Sequence, residues 1–340
     1  MLYYLLEGEM HNQVFRLIKP GKFELCDEEL TDRPDNWVTI RFRYCAICGT
    51  DMSSFWGRRL STDSLSLGHE FIAQVEEPGE WSGKLSQDDW VTSDFNIRCG
   101  ACEYCARNES HLCINSNIYR FSNRAFATRA HVRGDCLYKL PPRENMIPFS
   151  LVEPLSCVLH AMEDLPFNDH NPILVVGLGG LGLCMAFALA HHPNRPSFDC
   201  FELMESRKQL MSLALKGTRG WILDTPKDYY PIVFDLTGTH HGLSFACDHV
   251  RPGGKLISLS HIDEVDLTSF LYPKLMRGDV WFKISYENGP LSNIFTAISM
   301  INDNWNGSWD KLICVNPKEN LNNIFNGRKY TPFLKDIIEL

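Results

Sequence analysis

Three groups of residues in the 340-residue sequence have types and spacings that could do chemistry. Cys99-Gly-Ala-Cys102-Glu-Tyr-Cys105, followed by Cys113, puts four thiols on one stretch at spacings of three, three and eight. Four thiolates can close a tetrahedral zinc site with no open position, which is a structural site. An iron–sulfur cluster uses similar ligands, but no further cysteine cluster in the sequence supports one. Two disulfides are the other alternative, disfavoured in a reducing compartment. The second group is split between Cys48-Gly-Thr50-Asp51 and Gly68-His69-Glu70, about twenty residues apart. Alone, each half reads as a small buried cysteine or a His-Glu pair at a strand edge. Together they offer a thiolate, an imidazole and a carboxylate, the mixed set that suits a catalytic zinc with an open position. Glu153, in Val152-Glu-Pro-Leu155, adds a further carboxylate. Asp51 is placed to orient His69 from behind, and Thr50 supplies a hydroxyl that could pass a proton.

The third group is Gly177-Leu-Gly179-Gly180-Leu181-Gly182, a G-x-G-x-x-G directly after an Ile-Leu-Val-Val run. The first glycine permits a tight turn, the second lets the backbone approach a pyrophosphate, and the third lets a helix pack close to the strand. The helix N-terminus then favours the phosphate charge. An acidic residue about 20 positions on should bind the ribose hydroxyls. Glu202 is the choice, and Glu205 the rival that also reads as an acid stabilising a helix start. Glu202 would repel a 2′-phosphate and so favours NAD, while nearby Arg207 leaves NADP possible.

These groups need elements to hold them. Val38–Tyr44, Phe71–Val75 and Trp90–Thr92 read as strands between turns, so the first half is β-rich. From about Leu151 strands and helices alternate. The predicted strands are 173–176, 198–201, 232–236 and 255–259, with helices over 181–190, 207–215 and 242–250. Such alternation implies an α/β unit with a parallel sheet covered on both faces. Residues 173–190 form an uncharged 18-residue run at the lower edge of a membrane span. Its four clustered glycines fit a strand, a turn and a buried helix better. The last fifty or so residues are mixed, with Asn-Gly turns at 288, 306 and 326.

Composition narrows the partners. With 44% apolar and 22% charged residues the chain is globular, and its net charge of −9 argues against nucleic acid or an anionic membrane. Met1–Met10 is broken by Glu7 and Glu9 and has no basic start, so it is no secretory signal. An odd count of 13 cysteines, closely clustered, points to reduced thiols and metal, and hence to a cytoplasmic protein.

In the order of these motifs the chain resembles the medium-chain, zinc-dependent alcohol and polyol dehydrogenases. The resemblance also covers Phe234-Asp-Leu-Thr-Gly238 and Pro252-Gly-Gly-Lys-Leu-Ile257. It implies a GroES-like β-rich catalytic domain over 1–150 with a structural zinc lobe at 99–113. A Rossmann domain with a doubly wound parallel sheet would span 151–286, and 287–340 would return to the catalytic domain. By the resemblance, Cys48 and His69 bind the catalytic zinc, and Glu70 and Glu153 compete for the remaining protein position. A homodimer or homotetramer is implied as well. Cys157 is off register and is read as a packing cysteine.

The sequence departs from the family at Ser53, where many relatives carry a proton-relaying histidine, and at Ala73, often glycine. A polar insert, His191-His192-Pro-Asn-Arg-Pro196, carries adjacent histidines that are read as solvent-exposed rather than as metal ligands. The expected activity is hydride transfer between a secondary alcohol of polyol type and NAD, with NADP possible. Two zinc ions are expected, one catalytic and one structural. The alternatives are a reductase of a sugar phosphate or activated biosynthetic intermediate, and a non-catalytic zinc- and nucleotide-binding relative. The segment Asn12–Leu17 and the chain layout also resemble, more weakly, the branch that reduces ribulose 5-phosphate. Arg58 and Arg59 read as a solvated loop that could bind a substrate phosphate. Phe55 and Trp56 are read as core or as a pocket wall.

Overall fold

The Ile-Leu-Val-Val run at 173–176 has no polar side to turn to water, so it is stable only between two covered faces. In a computed structural model of the chain it is the central strand Ile173–Val176, with all four residues buried. The structure describes residues 11–30, 32–58, 65–94, 98–116, 124–168, 171–259, 262, 271–285, 287–327 and 331–340. The strand lies in a six-stranded sheet in which every pairing is parallel. In spatial order the sheet runs Gly220–Ile222, Phe198–Phe201, Ile173–Val176, Tyr230–Asp235, Val250–Ser258 and Trp281–Ile284. By position in the chain this order is 3-2-1-4-5-6, that of a dinucleotide-binding sheet. Its direction reverses at Ile173–Val176, which opens a crevice at the strand's carboxyl end.

The helix Gly180–Ala190 is apolar all round and buried along most of its length. Its Phe187 ring packs 5.1 Å from both Trp305 and Trp309. The next helix is Glu205–Ala214, two residues earlier than expected at its start, with Glu205 in the first turn where the helix dipole favours an acid. The helix His240–His249 also begins earlier, capped by Thr239, whose hydroxyl accepts the Gly242 N–H at 3.0 Å.

The first half forms an antiparallel layer. Trp37–Ala46 pairs with Glu70–Glu77 and Arg129–Arg133, and Trp90–Ser93 and Leu137–Lys139 extend the sheet. The end of the chain returns to it: Lys335–Glu339 pairs antiparallel with Trp37–Ala46, and Ile313–Pro317 lies parallel beyond. The helix Val152–Met162 packs against Glu70–Glu77 of this sheet and against the helix Gly180–Ala190 beside the other. One core cluster runs from Ala46 and Ile72 through Phe149 and Leu155 to Val175 and Ile337, so the two halves share buried surface. Among the described residues no helix is long and apolar enough to cross a membrane.

Candidate active site

The short helix Gly49–Phe55 starts at Cys48 because Asp51 turns back to accept the Cys48 N–H at 3.0 Å. The other Asp51 oxygen accepts the Gly68 N–H at 3.1 Å and lies 3.5 Å from His69 Nδ1. One buried carboxylate thus ties both halves of the split group together. Gly68 has φ +93°, and a Cβ there would meet Cys45 Sγ at 2.9 Å, so the backbone needs glycine before His69. The result brings Cys48 Sγ, a His69 ring nitrogen and a Glu70 oxygen within 4.8 Å of one another. Glu153, in the first turn of Val152–Met162, does not join that group.

The electrostatics of the cluster follow from burial and charge. Burial alone would lower His69, but the Asp51 carboxylate and the Cys48 thiol overcome it and hold the imidazole well above its ordinary value. Burial works against Asp51 too, yet His69 and the Cys48 and Gly68 N–H groups bring it below the usual range. Burial pushes Glu153 up to about 7, with His69 opposing the rise and Glu70 adding to it. Thiol, imidazole and carboxylate converging with an orienting carboxylate behind the imidazole are a donor set that fits zinc. Thr50 and Ser53 are half-buried on the same short helix.

One residue that motif reading missed stands beside this cluster. Lys335 is buried, forms an ion pair with Glu70, and reaches the glycine turn: a Cβ on Gly180 would meet its Nζ at 2.9 Å. The signal was a lysine beside the apolar strand residues of the chain's last segment. Cys157, read as a packing cysteine, stays outside the ligand cluster, and its thiol donates to Glu153 Oε1 at 3.4 Å from one helical turn away.

The four thiols at 99–113 also converge. Sγ distances are 3.9 Å for Cys99–Cys105, 3.6 Å for Cys102–Cys105 and 3.8 Å for Cys102–Cys113. A tetrahedron of sulfurs at the zinc–sulfur bond length has edges of about 3.8 Å. The Ala101 and Cys102 N–H groups donate to Cys99 Sγ at 3.4 and 3.3 Å and lower that thiol to about 6. Every cysteine of the chain is free of disulfides.

At the crevice, Gly177 has φ +94°, and a Cβ on Gly182 would lie 2.2 Å from the Gly177 carbonyl oxygen. The turn and the close helix approach therefore exclude other residues. Gly179 has open space beside it, and Leu181 is half-buried. Glu202 follows the strand Phe198–Phe201, and its carboxylate faces the turn, accepting the Leu178 N–H at 2.9 Å. It also accepts the N–H groups of Leu203 at 2.7 Å and Met204 at 3.0 Å, with Arg207 3.9 Å away. Glu205 pairs instead with Lys208 at 2.8 Å on its own helix. Asp235, buried at the end of the adjoining strand, accepts from Thr237 at 2.7 Å and Ser258 at 2.9 Å and fixes the opposite wall. Phe55 is core and Trp56 is largely exposed; Arg58 is exposed, and Arg59 lies outside the described residues.

A 3-2-1-4-5-6 sheet with a glycine turn, joined to a layer carrying a thiolate–imidazole–carboxylate cluster, defines a zinc-binding, dinucleotide-dependent dehydrogenase. Residues 34–142 match the alcohol dehydrogenase GroES-like domain. Over 250 residues, 68% of this chain and 70% of the relative, the sequence is 32% identical to D-arabitol-phosphate dehydrogenase of Enterococcus avium. It is 29% identical to sorbitol dehydrogenase of Halalkalibacterium halodurans over 157 residues, 46% of either chain, so that match spans about half of the relative's length. The fold matches a zinc-binding dehydrogenase of Sinorhizobium meliloti bound to NADP with a TM-score of 0.83 and 18% identity, covering 97% of this chain and 99% of that one. The chain belongs to the medium-chain, zinc-dependent dehydrogenase family, and zinc and NAD(P) are its cofactors.

Proposed function

We propose that the protein transfers hydride between a secondary alcohol of polyol type, free or phosphorylated, and NAD. The observation that carries this reading is the Cys48–His69–Glu70 cluster, with His69 and Glu70 buried and Cys48 half-buried, linked to the glycine turn through Lys335. In this reading these three residues hold a catalytic zinc, with Glu153 in reserve, and Cys99, Cys102, Cys105 and Cys113 hold a structural one. When bound, the catalytic ion supplies Lewis-acid polarisation of the substrate oxygen and lowers the alcohol's pKa. Asp51 fixes the His69 ring, and Lys335 holds Glu70 by its charge. The Thr50 hydroxyl, followed by Ser53, takes the alcohol proton toward solvent. Gly177, Gly179, Gly180, Leu181 and Gly182 cradle the pyrophosphate at the helix N-terminus. Glu202 locks that turn by its bond to Leu178 and turns the ribose pocket against a 2′-phosphate, with Arg207 alongside.

The similarity to an arabitol-phosphate and a sorbitol dehydrogenase supports the polyol class. The return of the last strands to the first sheet supports a catalytic domain over 1–150 and 287–340 around a cofactor domain over 151–286. The strand Trp281–Ile284, at the sheet edge among the described residues and with Trp281 and Ile284 exposed, supports a homodimer or homotetramer. Free thiols throughout support a cytoplasmic setting. The test is nicotinamide absorbance with zinc-loaded protein, NAD and NADP, and a panel of polyols, their phosphates and the matching ketoses. Turnover of one of these with NAD preferred is the expected result; no turnover of any of them overturns the reading.

A further inference from the structure

The insert His191–Pro196 exposes Pro193, Asn194 and Arg195 but not its histidines. Its two histidines are half-buried, His191 against Phe187 and Trp309, and His192 edge-on to Phe167 at 5.0 Å. Together with 214–218 and 306–309 the insert lines an open cavity of about 510 Å³, the size of a small-molecule site. The cavity is far from the cofactor crevice. The helix Gly180–Ala190 rises about 1.5 Å per residue, so its two ends are about 16 Å apart, with the glycine turn at one and His191 at the other. The cavity also borders the segments that lead into Phe198–Phe201 and Gly220–Ile222, at the amino ends of the parallel strands. Cofactors in such sheets bind at the carboxyl ends.

The lining has one sign of charge. Arg195 and Lys216 both border the cavity, and no carboxylate lines it among the described residues. Neither cation has an ion-pair partner among the described residues, in a chain whose net charge is −9. The histidines add directed polar atoms. Asn194 N–H donates to His192 Nδ1 at 3.1 Å, so the neutral ring carries its proton on Nε2 as a donor. Burial lowers His192, which keeps that ring neutral. His191 Nδ1 donates to the Phe187 carbonyl at 2.9 Å, leaving Nε2 available. Ala190, Ala214 and Trp309 supply an apolar wall for a carbon skeleton. Arg195 itself holds φ +44°, a left-handed conformation that non-glycine residues adopt rarely.

We propose that this cavity is a second ligand site, taking a small phosphate monoester between Arg195 and Lys216. The site is distinct from the hydride-transfer centre and does not depend on its substrate. Calorimetric titration of glucose 6-phosphate, and separately of inorganic phosphate, into zinc-loaded protein saturated with NAD tests it at low salt. With the glycine turn already filled, one molecule of the ester should bind per chain. Lys216→Glu should weaken that binding by about tenfold or more, with NAD affinity and thermal midpoint unchanged, and Arg195→Gln should weaken it less. Ser308→Glu, on a separate exposed segment of the lining, should act like Lys216→Glu and carries the same test if the first variant folds poorly. Tighter binding of the ester than of phosphate identifies an organic phosphate as the occupant, and equal binding identifies the free ion. Absence of binding by both probes, or binding untouched by all three substitutions, overturns the proposal.

Discussion

The lobe at 99–113 takes all four sulfurs from one continuous stretch, and backbone N–H groups are the partners that adjust them. The Cys48 cluster takes its three ligand atoms from two segments and depends on further charges: Asp51 behind His69, Lys335 on Glu70, and Glu153, which acts on His69 and Glu70. The first arrangement is complete in itself. The second is a buried charge balance that exists only once the antiparallel layer, the helix Val152–Met162 and the last strand have met. Sites of the first kind hold structure; those of the second leave a coordination position and a set of tunable charges for chemistry.

That contrast breaks most visibly in the lobe. Cys102→Ser should lose lobe zinc and destabilise the fold by on the order of 5 kcal/mol, a large part of a domain's stability. Zinc analysis with a thermal melt checks this, and a variant with normal zinc and midpoint would mean the lobe is not a metal site. Lys335→Met should cost metal-free protein about 3–5 kcal/mol, because Glu70 is left as an uncompensated buried charge. Zinc loading should recover much of that loss, as a metal ligated by Glu70 replaces the missing cation; denaturant melts with and without zinc compare the two. Thr50→Val should slow hydride transfer by about 100-fold while zinc content stays constant, the range of a lost proton-transfer group. An unchanged rate would move the relay to Ser53. The smallest effect is expected at Glu202→Ala, which should narrow the preference for NAD over NADP by about tenfold. The ratio of kcat/KM for the two cofactors measures it.

How much of this was legible in the sequence follows the same division. The lobe and the glycine turn are local, so spacing alone predicts both, and Gly177 and Gly182 occupy the strained turn and close contact that their positions imply. The strand 173–176 and the following helix were readable because a fully apolar run admits few other arrangements. Lys335 was not readable as part of the site, since its partner Glu70 is remote in sequence and only the pairing of Lys335–Glu339 with Trp37–Ala46 brings it back. The thiol contact from Cys157 to Glu153 was not readable, because it depends on helical rise and not on a motif. The histidines at 191–192 were read as exposed from their polar neighbours, while Phe187, Trp309 and Phe167 hold them half-buried. The final choice between Glu70 and Glu153 was open in the sequence, and the 4.8 Å cluster includes Glu70 alone of the two.

The central claim is that Cys48, His69 and Glu70 hold the zinc that does the chemistry, apart from the zinc of the lobe. Bound zinc and hydride transfer measured together in Cys48→Ser test it most directly. The account predicts one zinc equivalent fewer than in the unaltered protein, an intact fold and NAD affinity, and a loss of turnover of about 1,000-fold or more. Full zinc content with turnover retained in that variant would contradict it.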